Sequence, residues 1–246
     1  MGKEIKIPIT EAGAQVFDAT NKVLDSQFKH LQTLKIRLEQ FEVLNKVLPG
    51  GVDNALFDEV KTMLEYNALL YISMLDLAIV AKQLYLVSSE WELLFYAKHG
   101  YAIIFETFES YKKVNSKFNK YVKENAASLE LEYVQIAKEM KVFRKDFQVD
   151  TAFSNIRNQV AAHIDSFDVY YKTITSIKVE ESISAITKFL TLLSKLQSFS
   201  AKLVGALQAK TAVINKETKV KIEDLGKDIE AKLKKVLSQL EKERNK

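Results

Sequence analysis

The feature that most constrains this chain is its shortage of helix breakers. Of 246 residues, seven are Gly and two are Pro, about a third of the roughly 12% that these two types together occupy in average proteins. Both prolines, Pro8 and Pro49, fall in the first fifth of the chain. From Gly50 onward no residue lacks a backbone donor or forces a helix to stop. Apolar residues recur at spacings of three and four almost from end to end, which is the period of a helix and not of a strand. With 47% hydrophobic and 28% charged residues, the chain can bury a core and is expected to fold. The expectation is an all-α bundle of about six or seven helices, several of them long, in a single domain over residues 1–246.

The helices can be placed from local signals. Thr10 can cap a first helix running to about Leu48, and Pro49-Gly50-Gly51 makes an unmistakable loop. A second helix, from about Asn54 to Leu86, holds ALLYISMLDLAIVA. It is apolar on most sides and is therefore expected at the centre of the bundle. Ser89 with Glu92 three residues on has the spacing of a capping box and opens a third, aromatic-rich helix. A shorter helix spans about Leu129 to Phe147. Asp150 or Thr151 can cap the next, read as one unbroken helix through TAFSNIRNQVAAHIDSFDVYYKTI. Another follows from about Val179 to Ala209. A last helix, about Lys216 to Lys246, carries Ile222, Leu225, Ile229, Leu233, Val236 and Leu240 on one seam, a surface suited to the bundle or to a partner helix.

Composition removes several function classes. There is no Cys, so disulfides, thiolate metal sites and cysteine nucleophiles are absent. The basic excess is only +4, and it is almost all Lys, with Arg at 37, 144, 157 and 244; clustered Arg, the mark of a general DNA-reading face, is not seen. No phosphate loop, dinucleotide fingerprint or nucleophile elbow occurs. The histidines are His30, His99 and His163. None completes the ExxH or HExxH spacing of a metal centre, and no cofactor is expected. His99, among aromatics, and His30 read as packing or surface residues. The first ten residues carry no apolar targeting core. The run from Ala68 to Ala81 contains Asp76 and, counted alone, falls short of the roughly 20 residues of a membrane span. A cytoplasmic protein without membrane contact is therefore expected.

One constellation stands above this background: Arg157-Asn158-Gln159-Val160-Ala161-Ala162-His163. It joins one of four Arg, an adjacent polar residue and one of three His on a helical stretch. On an ideal helix Arg157 and His163 lie roughly 120° apart and flank a groove. Imidazole, with an ordinary pKa near 6.5, can serve as acid or base at neutral pH. A guanidinium can hold two phosphate oxygens at once. The same residues also permit plainer roles. Arg157 can pair with Asp150 or another surface carboxylate, Asn158 can be an ordinary polar helix residue, and His163 can bond Gln159 or Asp165.

Arg, a polar residue and then His inside a helical bundle resembles the signature of HEPN domains, many of which are metal-independent endoribonucleases of toxin–antitoxin, abortive-infection and CRISPR systems. The strong match covers about Phe153 to Asp165, with the bundle core expected over 54–210. The resemblance implies RNA cleavage by 2′-hydroxyl attack, with His163 as general acid or base, Arg157 stabilising charge on phosphorus and Asn158 in support. It also implies a homodimer that brings two motif copies together, and possible pairing with an antitoxin or other helical partner through the C-terminal helix. The alternative is a non-catalytic helical interaction protein, since a fold can outlive its chemistry.

Overall fold

The computed structural model describes residues 11–47, 54–87, 89–161 and 166–210. Among these residues there is no strand, and the helices are α1 (Glu11–Val47), α2 (Asn54–Leu86), α3 (Glu90–Asn125), α4 (Glu130–Asp146), a compound helix α5 over 149–161, α6 (Phe167–Thr175) and α7 over 179–210. The fold is an all-α helical bundle, as the scarcity of Gly and Pro requires. His163 and the 216–246 seam lie outside the described residues.

The chain runs α1 onto α2 and α2 onto α3. Ser89 caps α3 as its spacing predicts: its Oγ accepts from the Glu92 amide and donates to the Glu92 carboxylate. The core is shared by α2, α3, α4 and α7. Phe108 of α3 stacks on Phe189 of α7 at 5.4 Å and on Phe143 of α4 at 5.8 Å, while Phe118 meets Phe199 edge-on at 5.7 Å. A clamp from Tyr133 Oη to Asn115 Oδ1 (2.9 Å) fixes α4 on α3. Gly100 lets the backbones of α3 and α7 approach, with Ile186 filling the space where a Cβ would stand.

Two expectations are corrected. First, α2 is a core helix but not buried on most sides: Val60, Met63, Leu64, Leu70 and Leu77 are buried, while Leu69, Ile72 and Ile79 face solvent. Its apolar run is broader than one buried stripe because its opposite face packs on α1 and α3. The residues from Asp58 to Leu86 are long and apolar enough to cross a membrane, with a mean hydropathy of 1.5 in the best window, of which 33% is buried. The shorter count from Ala68 to Ala81 left out the apolar turns on either side; the core helix of a folded bundle passes the same test.

Second, the stretch from 149 to 175 is not one helix. It divides into a wide π-type turn (Val149–Phe153), one α turn (Ser154–Ile156), a second π turn (Arg157–Ala161) and, separately, α6. Ser166 caps α6, accepting from the Val169 amide. Neither Asp150 nor Thr151 caps α5. The stretch starts from Gln148 in the left-handed conformation (φ 49°), and Asp150 is engaged instead by Arg144 and Lys112.

Candidate functional site

Arg157 and Asn158 stand on α5, which is held against α3 by a ring stack and a buried hydrogen bond. Phe153 stacks on Tyr101 at 4.2 Å. The buried Lys98 donates from Nζ to the Val160 carbonyl (3.2 Å) and to Tyr170 Oη (3.3 Å). Lys98 also lies over the rings of Phe95 and Tyr170, 5.2 and 5.5 Å from their centroids. A π turn pairs carbonyls five residues on and leaves its last ones short of partners. The Lys98 ammonium supplies one, and it ties α3, α5 and α6 together at the place where the chain proceeds toward His163.

Arg157 and Asn158 lie side by side on the exposed face of α5. Arg157 Nη1 donates to Asn158 Oδ1 at 3.0 Å, and Asn158 Nδ2 reaches Ser154 Oγ at 3.5 Å. Arg157 Nε donates to Glu106 Oε1 on α3 at 2.8 Å, with side-chain exposures of 39% and 54% for the two partners. The carboxylate that Arg157 pairs with is thus Glu106 and not Asp150. An ion pair this exposed contributes only about 0–1 kcal/mol, so a phosphate can displace Glu106 at little cost. Gln159 turns the other way, its Oε1 accepting from Thr173 at 2.7 Å.

Arg157–Ala161 winds in a π turn with more residues per revolution than an α-helix, and the angle to His163 lies outside the described residues. One hollow adjoins α5, and a second lies one helix away. The larger, about 580 Å³, is lined by Tyr101, Phe153, Asn155, Gln159, Thr173 and Lys178, without Arg157 or Asn158. A shallower groove of about 300 Å³ between α2 and α3 includes Glu106, Thr107 and Asp76. It therefore reaches the carboxylate that Arg157 holds. Burial pushes the Asp76 carboxyl above its ordinary value.

The other histidines pack. His99 meets Phe95 edge-on at 4.5 Å; burial, and then the neighbouring Lys98 charge, hold its imidazole below its usual pKa. His30 stacks on Tyr71 at 5.6 Å and bonds through Nδ1 with the Ser26 carbonyl at 2.7 Å. Arg144 is occupied by Asp150, which receives its Nη2 at 2.7 Å. Among the described residues no cluster of three metal-ligating side chains occurs. Glu106, Lys98 and Ser154 were not legible as site residues, because each joins the motif only through packing. The chain matches no family model, no curated protein and no solved structure.

Proposed function

We propose that this protein is a metal-independent endoribonuclease of HEPN type, acting as a cytoplasmic homodimer in a defence or toxin role. The observation that carries the proposal is Arg157 and Asn158 hydrogen-bonded to each other on an exposed helix face, with Arg157 committed only to a weak surface pair. In the reaction an RNA 2′-oxygen attacks its own phosphorus and its proton passes to an imidazole. The bond from phosphorus to the 5′-oxygen then breaks, and that oxygen takes a proton from an acid. The products are a 2′,3′-cyclic phosphate and a 5′-hydroxyl. His163 of each subunit supplies one of the two proton carriers, Arg157 binds the charge growing on phosphorus, and Asn158 keeps the guanidinium aimed.

The test is incubation of purified protein with mixed RNA in EDTA. Wild type is expected to cleave and leave cyclic phosphate ends. His163→Ala should abolish cleavage, and Arg157→Ala should lower it by about 10²-fold or more, both with unchanged circular dichroism. Cleavage persisting in His163→Ala removes the assignment. A second reading, a non-catalytic interaction protein, is favoured by the exposed Leu69, Ile72 and Ile79 on α2. It requires the absence of cleavage and a change of oligomeric state when 216–246 are deleted.

A further inference from the structure

We infer that single-stranded RNA lies lengthwise along the outward face of α3, its bases on aromatic rings at one end of the helix and its phosphates on lysines at the other. The inference rests on the ribonuclease reading and gives that site a track and a direction. Trp91, Phe95, Ala102, Glu106, Lys113 and Lys117 follow one another at spacings of four and seven residues. On an α-helix such spacings keep all six within an arc of about 80°, over about 39 Å of axis.

Trp91 and Phe95 are 52% and 42% exposed and stand one helical turn apart, so both keep ring surface open to a ligand. Lys113 and Lys117 are exposed and have no ion-pair partner among the described residues. Glu106 sits between the two ends, where Arg157 reaches it.

Charge selects the occupant. Residues 109–125 hold five lysines against two glutamates, a local excess of +3 in a chain whose net charge is +4. That local excess gives the second half of α3 an attraction for a polyanion. Beside the lysines Glu109 pairs with Lys112, and within the stripe Glu106 pairs with Arg157 until a phosphate takes its place. Exposed rings in line with unpaired lysines are the two components that hold unpaired nucleic acid: every base offers a face to stack, and every phosphate a charge. A duplex hides its base faces and would use only the lysine end. A strand on this track crosses Arg157 and Asn158 between the rings and the lysines, where the cut is proposed.

The experiment is fluorescence anisotropy with an end-labelled RNA whose 2′-hydroxyls are all methylated, so that binding is read without internal cleavage. Four proteins are compared: wild type, Lys113→Glu/Lys117→Glu, Trp91→Ala/Phe95→Ala, and a charge-matched control, Lys141→Glu/Lys145→Glu on α4. These are exposed positions, and unchanged melting is the check that each variant folds. The lysine pair should weaken binding by about tenfold or more and reduce the slope of log affinity against log salt by about 1.4, the value for two phosphates of a single strand. The aromatic pair should weaken binding by about tenfold with little change of slope. The control should bind like wild type.

Equal losses in the Lys113/Lys117 and Lys141/Lys145 variants overturn the track. If RNA is still cleaved in EDTA in that case, the ribonuclease reading stands without it. Binding that depends on the stripe, with no cleavage, keeps the track and removes the reading. Absence of binding in wild type overturns the track outright. A Trp91→Ala/Phe95→Ala protein that changes its sedimentation but not its RNA affinity overturns the aromatic half, and makes those rings a subunit interface.

Discussion

Two glycines inside helices show how far one side chain's surroundings decide its effect. A Cβ at Gly205 would meet nothing within 4 Å, whereas one at Gly100 would stand 2.5 Å from Ile186 Cδ1. Gly205→Ala is therefore expected to stabilise by roughly 0.5–1 kcal/mol, through the entropy the unfolded chain no longer has. Gly100→Ala gains the same helix term, but it overpacks a buried contact at about 1–3 kcal/mol, so a net loss of up to about 2 kcal/mol is expected. Thermal melts of both variants check the opposite signs. Adding Ile186→Val, which removes the clashing methyl, should recover most of the Gly100→Ala loss, and a double-mutant cycle measures that coupling. Both glycines are equally conspicuous in the sequence, and only the packing of α7 on α3 separates them.

At the scale of elements, α5 depends on what α3 and α4 lend it. Lys98→Met keeps the volume of the side chain but leaves the Val160 carbonyl without its donor. Loss of a buried hydrogen bond of this kind costs about 1–3 kcal/mol. The expected result is a lower denaturation midpoint, and faster amide exchange over 157–161 than over α3. The other end of α5 is tied by Asp150, whose carboxyl is held below its ordinary value chiefly by the Arg144 hydrogen bond and secondarily by Lys112. A depressed carboxyl binds protons more weakly folded than unfolded, so its contribution is present above a pH of about 4 and is lost as pH falls through the folded value. Asp150→Asn should thus melt below wild type at pH 7, and the gap should close toward pH 3.

For the whole molecule, the proposed activity needs Arg157, Asn158 and His163 on one surface with an RNA track beside them. The first two are neighbours in sequence and in space. Their partners are not neighbours in sequence: Glu106 is 51 residues from Arg157 and Lys98 is 62 from Val160. The helix starts at Ser89 and Asn54 were legible because capping and loop chemistry act within four residues. The break inside 149–175 was not. A π turn has no composition of its own and persists here because Lys98 and the Tyr101–Phe153 stack reward it. The open side of α2 was not legible for a related reason: an apolar surface shows that a helix can be buried, and not that Leu69, Ile72 and Ile79 will be left exposed.

The sequence by itself determined the class of the fold and most helix limits. Helix propensity, caps and the absence of Pro after residue 49 all act over a turn or two, so they can be read from a string of letters. Tertiary structure alone decided which sides of α2 are buried, that Glu106 rather than Asp150 meets Arg157, and that Arg157 stands beside the side of α3 where rings and lysines align. Those outcomes depend on contacts between residues far apart in the chain, and the energies that select among them are differences in packing and desolvation that no local pattern encodes.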